Sequence, residues 1–130
     1  MKTLIAEDDF TSRLLFQELL KGFGITHVAV NGKEAVKAAK IALDNNEPYD
    51  LICLDIMMPE MDGHMALSAI RKLEEEKGLY SSDGAKVIML TALGDLKNVS
   101  SAFSELCDAY IVKPIGKDKL INTLNELKLV

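Results

Sequence analysis

Short apolar runs alternate along the chain with longer stretches whose apolar residues recur at helical spacing. The runs have the length of buried strands and are too short to be buried helices. Because consecutive strands separated by helices usually pair in parallel through right-handed crossovers, the alternation predicts a parallel sheet covered on both faces. The five runs are TLIA (3–6), ITHVAV (25–30), LICL (51–54), VIML (87–90) and AYIV (109–112).

Five helical patterns accompany the runs, and a chain of 130 residues suits one compact domain. We therefore predict an α/β fold, a doubly wound five-stranded parallel sheet with five helices, in a single domain over residues 1–130. The helical patterns cover residues 10–23, 33–45 and 64–77, a stretch marked by Leu96, Val99, Phe103 and Leu106, and a stretch marked by Leu120, Leu124 and Leu127.

Charge and hydropathy exclude several classes of protein. The net charge of −5 opposes non-specific binding to nucleic acid or to an anionic membrane, because phosphates favour clustered Lys and Arg. No apolar stretch approaches the roughly 20 residues of a membrane span, and the opening MKTLIAEDD turns acidic, unlike a signal peptide. We expect the two cysteines, Cys53 and Cys107, to be reduced thiols. These features together predict a cytoplasmic protein.

Polar residues follow four of the five predicted strands. They are the acidic triplet Glu7-Asp8-Asp9, then Asp55, Thr91 and Lys113. In a doubly wound sheet, ligands bind outside the carboxyl ends of the strands, so these side chains are expected on one rim. Taken singly, each has an ordinary explanation as a turn or helix-capping residue. Their shared position at the same strand ends makes the set a candidate site.

Carboxylates that converge raise each other's pKa unless a cation lies among them. Oxygen ligands favour Mg²⁺, which accepts one or two carboxylates together with phosphate oxygens and water. Asp55 is then a candidate nucleophile, since carboxylates form acyl-phosphates. Lys113 could pair with Asp55 at rest and with a phosphoryl oxygen afterwards, while the Thr91 hydroxyl could bind a second phosphoryl oxygen.

The chain resembles the receiver domains of bacterial two-component response regulators, over essentially all 130 residues. This resemblance implies the flavodoxin-like strand order 2-1-3-4-5 and phosphotransfer from a histidine kinase or a histidine phosphotransfer protein to an aspartate. The motifs that carry it are AEDD (6–9) with Arg13, NGKEA (31–35), DIMMPEMDG (55–63), MLTA (89–92) and DAYIVKPI (108–115).

The resemblance also implies roles for single residues. Asp55 matches the phosphoacceptor, and the backbone carbonyl of Met57 matches a protein ligand to Mg²⁺. Asp8 and Asp9 match the acidic pair, with Asp9 expected to bind the metal directly and Asp8 through water. Glu7 is left with a mainly structural role.

The remaining matched residues concern switching. Thr91 matches the switch hydroxyl, Lys113 the phosphate-pairing lysine, and Tyr110 the aromatic residue whose rotamer follows phosphorylation. A cis bond is expected between Lys113 and Pro114. The regulated surface would be formed by the fourth helix, the fifth strand and the fifth helix, and would include Leu96, Lys97, Tyr110 and Val112.

Two positions depart from what rapid hydrolysis would require. Met57 and Leu93, two residues beyond the phosphoacceptor and the switch hydroxyl respectively, are both apolar. Neither can orient an attacking water well, so we expect slow self-dephosphorylation. The output partner is not determined by the sequence, and a monomer or weak dimer is expected. We predict that residues 78–85 form a surface loop that is longer than is usual in the family.

Two other classes use similar residues. A haloacid-dehalogenase-like phosphohydrolase would need a second aspartate two residues after the nucleophile, where this chain has Met57. A flavin carrier of the same fold would need a hydroxyl-rich phosphate loop after the first strand, where this chain has EDD. A signalling receiver, not an enzyme with a separate substrate, is therefore the favoured interpretation.

Overall fold

The computed structural model describes residues 1–80, 83–92 and 106–130. In these residues five strands and four α-helices alternate, with a short 3₁₀ helix at Lys21–Phe23. The strands are β1 (Thr3–Ala6), β2 (Thr26–Ala29), β3 (Leu51–Asp55), β4 (Lys86–Thr91) and β5 (Ala109–Val112). The helices are α1 (Phe10–Leu20), α2 (Gly32–Asp44), α3 (Gly63–Glu76) and the C-terminal helix (Lys117–Glu126).

All strand pairings are parallel, and the order across the sheet is β2-β1-β3-β4-β5. This confirms the doubly wound parallel sheet and the order 2-1-3-4-5. β1 and β3 are adjacent, with Ala6 opposite Leu54. β4 pairs with β5, with Thr91 opposite Val112. The carboxyl ends of β1, β3, β4 and β5 therefore form one continuous rim.

The helices depart from the predicted bounds at their ends. The first α-helix stops at Leu20, and the chain tightens into the 3₁₀ turn before Gly24, which has a φ of 132°. α2 and α3 each begin one residue earlier than predicted, because Asn31 and Asp62 cap them and accept hydrogen bonds from Glu34 N and Met65 N. Most of the predicted fourth helix falls on residues 93–105, outside the described residues.

Two apolar cores cover the faces of the sheet. One joins the sheet to α2 and α3, and the other joins it to α1 and the C-terminal helix. β1 and β3 are buried along their whole length, which explains why TLIA and LICL are continuous apolar runs. Within residues 1–80, 83–92 and 106–130, no helix combines the length and the apolar composition needed to cross a bilayer.

Candidate functional site

The rim holds a buried ion triad. The Lys113 ammonium lies 3.0 Å from Asp55 Oδ2 and also contacts Glu7 Oε1 in a short ion pair. Asp55 is 6% exposed and Glu7 is fully buried. Isolated carboxylates at such depth would be costly, and a single lysine between them offsets part of that cost. The three residues come from the ends of β1, β3 and β5, so the strand order decides their meeting.

Burial and neighbouring charge together raise the pKa values of Glu7 and Lys113. Burial and the adjoining Asp55 carboxylate raise the pKa of Glu7, and the Lys113 ammonium opposes that rise. Burial acts to lower the pKa of Lys113, but its hydrogen bonds and charge interactions with Glu7 and Asp55 hold the pKa above its ordinary value. Lys113 is therefore fully charged at neutral pH, beside Asp55.

Three carboxylates lie close enough to hold one cation. One oxygen each of Glu7, Asp8 and Asp55 can be chosen so that all lie within 4.8 Å of one another. Asp8 is exposed, whereas the other two are buried, so the group opens to solvent on one side. Hard carboxylate oxygens in an open arrangement fit Mg²⁺, which keeps several of its own waters.

The Asp9 carboxylate is not among the oxygens that meet in this cluster. It accepts a hydrogen bond from Ser12 N at 2.8 Å and caps α1. These bonds from Ser12 are the main reason why its pKa lies below the ordinary value. The role of Asp9 as the direct metal ligand stays a prediction, and the geometry offers Glu7, which was given a structural role, as an alternative member of the candidate set.

The sequence contains a signal that distinguishes the positions of Glu7 and Asp9. β1 ends at Ala6, so Glu7 is the first residue past the strand and Asp9 the last before the helix at Phe10. The Arg13 guanidinium donates to the Glu7 carbonyl at 3.0 Å and fixes the turn between β1 and α1. A helix cap immediately before an amphipathic pattern is recognisable from sequence, and it identifies Asp9 as the cap.

The loop after β3 holds Asp55 by close packing. A Cβ on Gly63 would lie 2.5 Å from the carbonyl oxygen of Asp55, so only glycine fits at the start of α3. Met57 N donates to Asp55 Oδ1 at 3.2 Å, while the Met57 side chain is 66% exposed. The Met57 backbone thus contacts Asp55 while its side chain faces solvent. The role of the Met57 carbonyl as a metal ligand stays a prediction.

Two of the predicted switch residues lie on β4 and β5. Thr91 is buried, and its hydroxyl donates to the Ala92 carbonyl at 3.2 Å. Tyr110 packs against the core beneath α2 and α3 with its hydroxyl oxygen buried. Burial, reinforced by a hydrogen bond with the Cys107 thiol, raises the pKa of Tyr110. The Lys113–Pro114 bond is cis, as expected.

Of the other residues of the predicted switch surface, only Val112 is among the described residues. Val112 lies on β5, in register with Thr91. Leu93, Leu96 and Lys97 lie outside the described residues, so their predicted roles stay predictions.

The sequence of this chain is similar to those of known signalling proteins. The chemotaxis protein CheY of Bacillus subtilis is 32% identical over 127 residues, which cover 96% of this chain and 95% of that protein. Hybrid signal transduction histidine kinase B of Dictyostelium discoideum is 38% identical over 126 residues. That match covers 92% of this chain but only 6% of the kinase, so the likeness concerns one part of a much longer protein.

Solved structures are similar in fold. The CheX–CheY complex of Borrelia burgdorferi with BeF3 and Mg²⁺ matches at a TM-score of 0.78 and 32% identity, covering 98% of this chain and 89% of that one. The complex of the Saccharomyces cerevisiae phosphotransfer protein Ypd1 with the receiver domain of Ssk1 matches at 0.80 and 25% identity, covering 98% and 88%. The family model for the response regulator receiver domain matches residues 3–125. With its parallel sheet and its acidic rim, the chain belongs to the response regulator receiver domain family of two-component signalling.

Proposed function

We propose that this chain is a phosphorylation-dependent switch in which Asp55 accepts a phosphoryl group from a histidine kinase or a histidine phosphotransfer protein. The observation that carries the proposal is the Lys113 ammonium, held 3.0 Å from Asp55 and also paired with buried Glu7. A lysine in that position pairs with the Asp55 carboxylate at rest and can pair with a phosphoryl oxygen after transfer.

In the transfer step a carboxylate oxygen of Asp55 forms a bond to phosphorus while the bond between phosphorus and the donor imidazole nitrogen breaks. The electron pair of that bond leaves with the imidazole, which takes up a proton. Lys113 would then neutralise one phosphoryl oxygen, and Thr91, which follows the Leu90 that pairs with Asp55, would donate to another.

The donor set at the rim fits Mg²⁺. Glu7, Asp8, Asp55 and the carbonyl of Met57 would hold it, and in that case it would neutralise charge on the phosphoryl oxygens. This set differs from the sequence-based one by containing Glu7 in place of Asp9. The chain's own contribution is the buried, lysine-paired acceptor, which exists independently of the cation.

An apolar surface beside the site suits a phosphodonor protein. Phe10, Leu14 and Leu15 of α1 are 45–64% exposed. Of these, Leu15 lines a cavity of about 300 Å³ between α1 and the segment Lys113 to Ile115. Exposed apolar residues of this kind typically mark protein contacts, and their position next to Lys113 would bring a donor histidine to the rim.

Phosphorylation adds about −1.5 to −2 charges and strong acceptor oxygens at the rim. In the proposed switch, Thr91 moves toward the phosphoryl group and Tyr110 follows into the space released. The affected surface would include Val112 and the C-terminal helix, together with residues of the predicted fourth helix. A partner is regulated only if it binds the two arrangements unequally. The output partner is an unknown protein, and we expect the chain to be a monomer or a weak dimer.

A separate catalytic activity is not part of the proposal. A phosphohydrolase would need an acid or base two residues beyond Asp55, and the exposed thioether of Met57 cannot transfer protons. We further propose that residues 1–130 act as a single receiver domain. The cytoplasmic location stays a prediction from the sequence.

Intact-protein mass after incubation with acetyl phosphate and Mg²⁺ tests the proposal. We expect one hydroxylamine-labile phosphoryl adduct on the unmodified chain and none on Asp55→Asn. Ser68→Ala, an exposed substitution on α3, serves as a control that keeps the adduct. Phosphorylation of Asp55→Asn to the same extent, or no adduct on the unmodified chain together with no spectral response to beryllofluoride, would refute it.

A further inference from the structure

A groove between α2 and α3 lies on the flank of the molecule and is not part of the rim site. Its volume is about 450 Å³. The floor is apolar, formed by half-buried side chains that leave a gap between the two helices. These floor residues are Val36, Met61, Ala69 and Leu73.

The edges of the groove are basic although the chain as a whole is acidic. The protein has 20 acidic residues against 15 basic ones, yet four lysines and a single glutamate line this groove. Lys33, Lys37 and Lys40 follow one another along α2, and Lys72 lies opposite on α3 with Glu76 at the far end. A positive concentration of this kind on a negative protein marks a surface for an acidic partner.

Most of this charge is available for a partner. Lys40 pairs with Asp44 at 2.7 Å, which raises the pKa of that lysine, and Asp44 also pairs with Lys77 at 3.1 Å beyond the groove. None of the ion pairs among the described residues involves Lys33, Lys37 or Lys72. All three side chains are exposed.

We propose that this groove binds an acidic amphipathic helix of a partner protein. Two neighbouring helices with an apolar furrow between them form the seat that a third helix fills. The first and last of the three lysines of α2 are seven positions apart, or about 10 Å along the helix at a rise of ~1.5 Å per residue. A bound helix with carboxylates one turn apart on its flank would match that spacing, while its apolar stripe covers the floor.

Other anionic partners fit the groove less well. Nucleic acid would use the lysines but leave the apolar floor without a contact, and the net charge of the chain opposes its approach. A membrane would need a flat or convex apolar face, whereas this one is concave. The interface is also separate from Asp55, so binding does not depend on phosphorylation being the function of the rim.

Amide NMR shifts of the full chain, titrated with a designed peptide, test the proposal. The probe is a 15-residue helix-favouring peptide with a leucine stripe flanked by glutamates, and its control is a scramble of the same composition. At about 10 mM salt, where screening extends over roughly 30 Å, we expect saturable shifts confined to α2 and α3 with the probe only. Absence of such shifts at millimolar peptide would overturn the proposal.

Matched variants separate groove binding from general attraction. The triple variant Lys33→Glu/Lys37→Glu/Lys72→Glu should weaken binding about tenfold or more, because three attractive pairs become repulsive. The variant Lys117→Glu/Lys119→Glu/Lys128→Glu makes the same change of net charge at exposed lysines elsewhere and should weaken binding much less. Equal losses in the two triple variants would overturn the proposal.

A further variant tests the apolar floor. Ala69→Arg adds positive charge but fills the space between the helices, so it should weaken binding if the floor is occupied. Stronger binding by this variant would mean that charge alone attracts the peptide, which contradicts the proposal. Tighter binding of phosphatidylglycerol vesicles or of single-stranded RNA than of the peptide, at equal salt, would contradict it as well.

Discussion

At the scale of single residues, three consecutive acidic side chains have three different environments. Glu7 is buried against Lys113, Asp8 is the exposed member of the carboxylate cluster, and Asp9 caps α1. The cause is the change from strand to helix within this stretch, since successive residues leaving a strand point to opposite sides. One position therefore decides whether a carboxylate stabilises a helix or joins the site.

This division of roles predicts unequal effects on Mg²⁺ binding. Glu7→Gln and Asp8→Asn should each lower the affinity for Mg²⁺ by about tenfold or more, because each removes a charge from the cluster. Asp9→Asn should leave the affinity within about twofold, since asparagine caps a helix as well as aspartate does. Isothermal titration calorimetry of the three variants measures this. A larger loss for Asp9→Asn than for Glu7→Gln would restore the assignment made from the sequence.

The two cysteines also differ by environment. Cys53 lies on β3 with no exposed surface, and burial raises the pKa of its thiol to about 12 from an ordinary value of 9.0. Burial raises the pKa of Cys107 as well, but that residue is half-buried near Tyr110. Both thiols are therefore protonated at neutral pH, and Cys53 is the less accessible of the two.

We expect the burial of Cys53 to make the folded protein less stable at alkaline pH. Because the pKa of this thiol is higher in the folded state than in the unfolded state, its contribution to the free energy of unfolding is fully present below pH 9.0. That contribution is lost as the pH rises toward 12. The free energy of unfolding in urea should therefore fall between pH 8.5 and 10, by up to ~1 kcal/mol per pH unit. Cys53→Ala should lower stability at every pH but flatten that slope. If the free energy of unfolding falls with pH as steeply in Cys53→Ala as in the unmodified chain, Cys53 is not the cause of the fall.

At the scale of elements, a polar network joins α3 to the starts of β4 and β5. Arg71 donates to Glu74 Oε1 at 2.7 Å, to the carbonyls of Ala85 and Leu106 at 2.8 Å each, and to Asp108 Oδ2 at 3.2 Å. Glu74 accepts in turn from Ala85 N at 2.8 Å. The network lies at the opposite end of β4 and β5 from the rim, and it anchors the chain where β5 begins.

Replacing Arg71 alone should lower the free energy of unfolding more than replacing Arg71 and Glu74 together. Arg71→Met leaves the buried Glu74 carboxylate without its cation, and we expect a loss of about 3 kcal/mol in the free energy of unfolding. In Arg71→Met/Glu74→Gln the amide oxygen still accepts from Ala85 N, so part of that loss should be recovered. Urea unfolding measures both variants.

The surface pair of Lys21 and Glu18 provides the control. Both side chains are 68% exposed, so Lys21→Ala should change stability by less than about 1 kcal/mol. A double variant less stable than Arg71→Met would show that the carboxylate is tolerated without arginine.

At the scale of the whole molecule, the duration of a signal in the proposed switch would depend on how long Asp55 stays phosphorylated. Water would have to reach the phosphoryl group, and the Met57 side chain, two residues beyond Asp55, is 66% exposed to solvent. A thioether cannot orient an attacking water by strong hydrogen bonds. The proposed switch would therefore remain active for minutes or longer unless another protein removes the phosphoryl group.

Replacing that thioether by an amide should shorten the lifetime. We expect Met57→Asn to accelerate dephosphorylation several-fold, since the amide can hold a water near the phosphorus. Met65→Asn, which changes another exposed methionine at 56% exposure, should have no effect. The decay of the phosphoryl adduct after removal of acetyl phosphate gives the rates. A lifetime of seconds in the unmodified chain would contradict the prediction.

The sequence by itself determined the architecture and most of the rim. Continuous apolar runs such as LICL and the helical spacing between them specify a parallel sheet, because only strands buried on both faces lack polar alternation. The strand-end positions of Asp55, Thr91 and Lys113 then follow from the geometry of such sheets. These features depend on local pattern, which the sequence records directly.

Only the tertiary structure decided which side chains meet. The meeting of Glu7 with Asp8 and Asp55 depends on the direction of each carboxylate and on Lys113, which lies 106 residues from Glu7 in the chain. The partners of Arg71 lie 3, 14, 35 and 37 residues away, and no periodicity encodes them. The basic groove likewise arises only when α2 and α3 pack side by side. Contacts between distant segments are determined by packing of the whole chain, which local pattern does not contain.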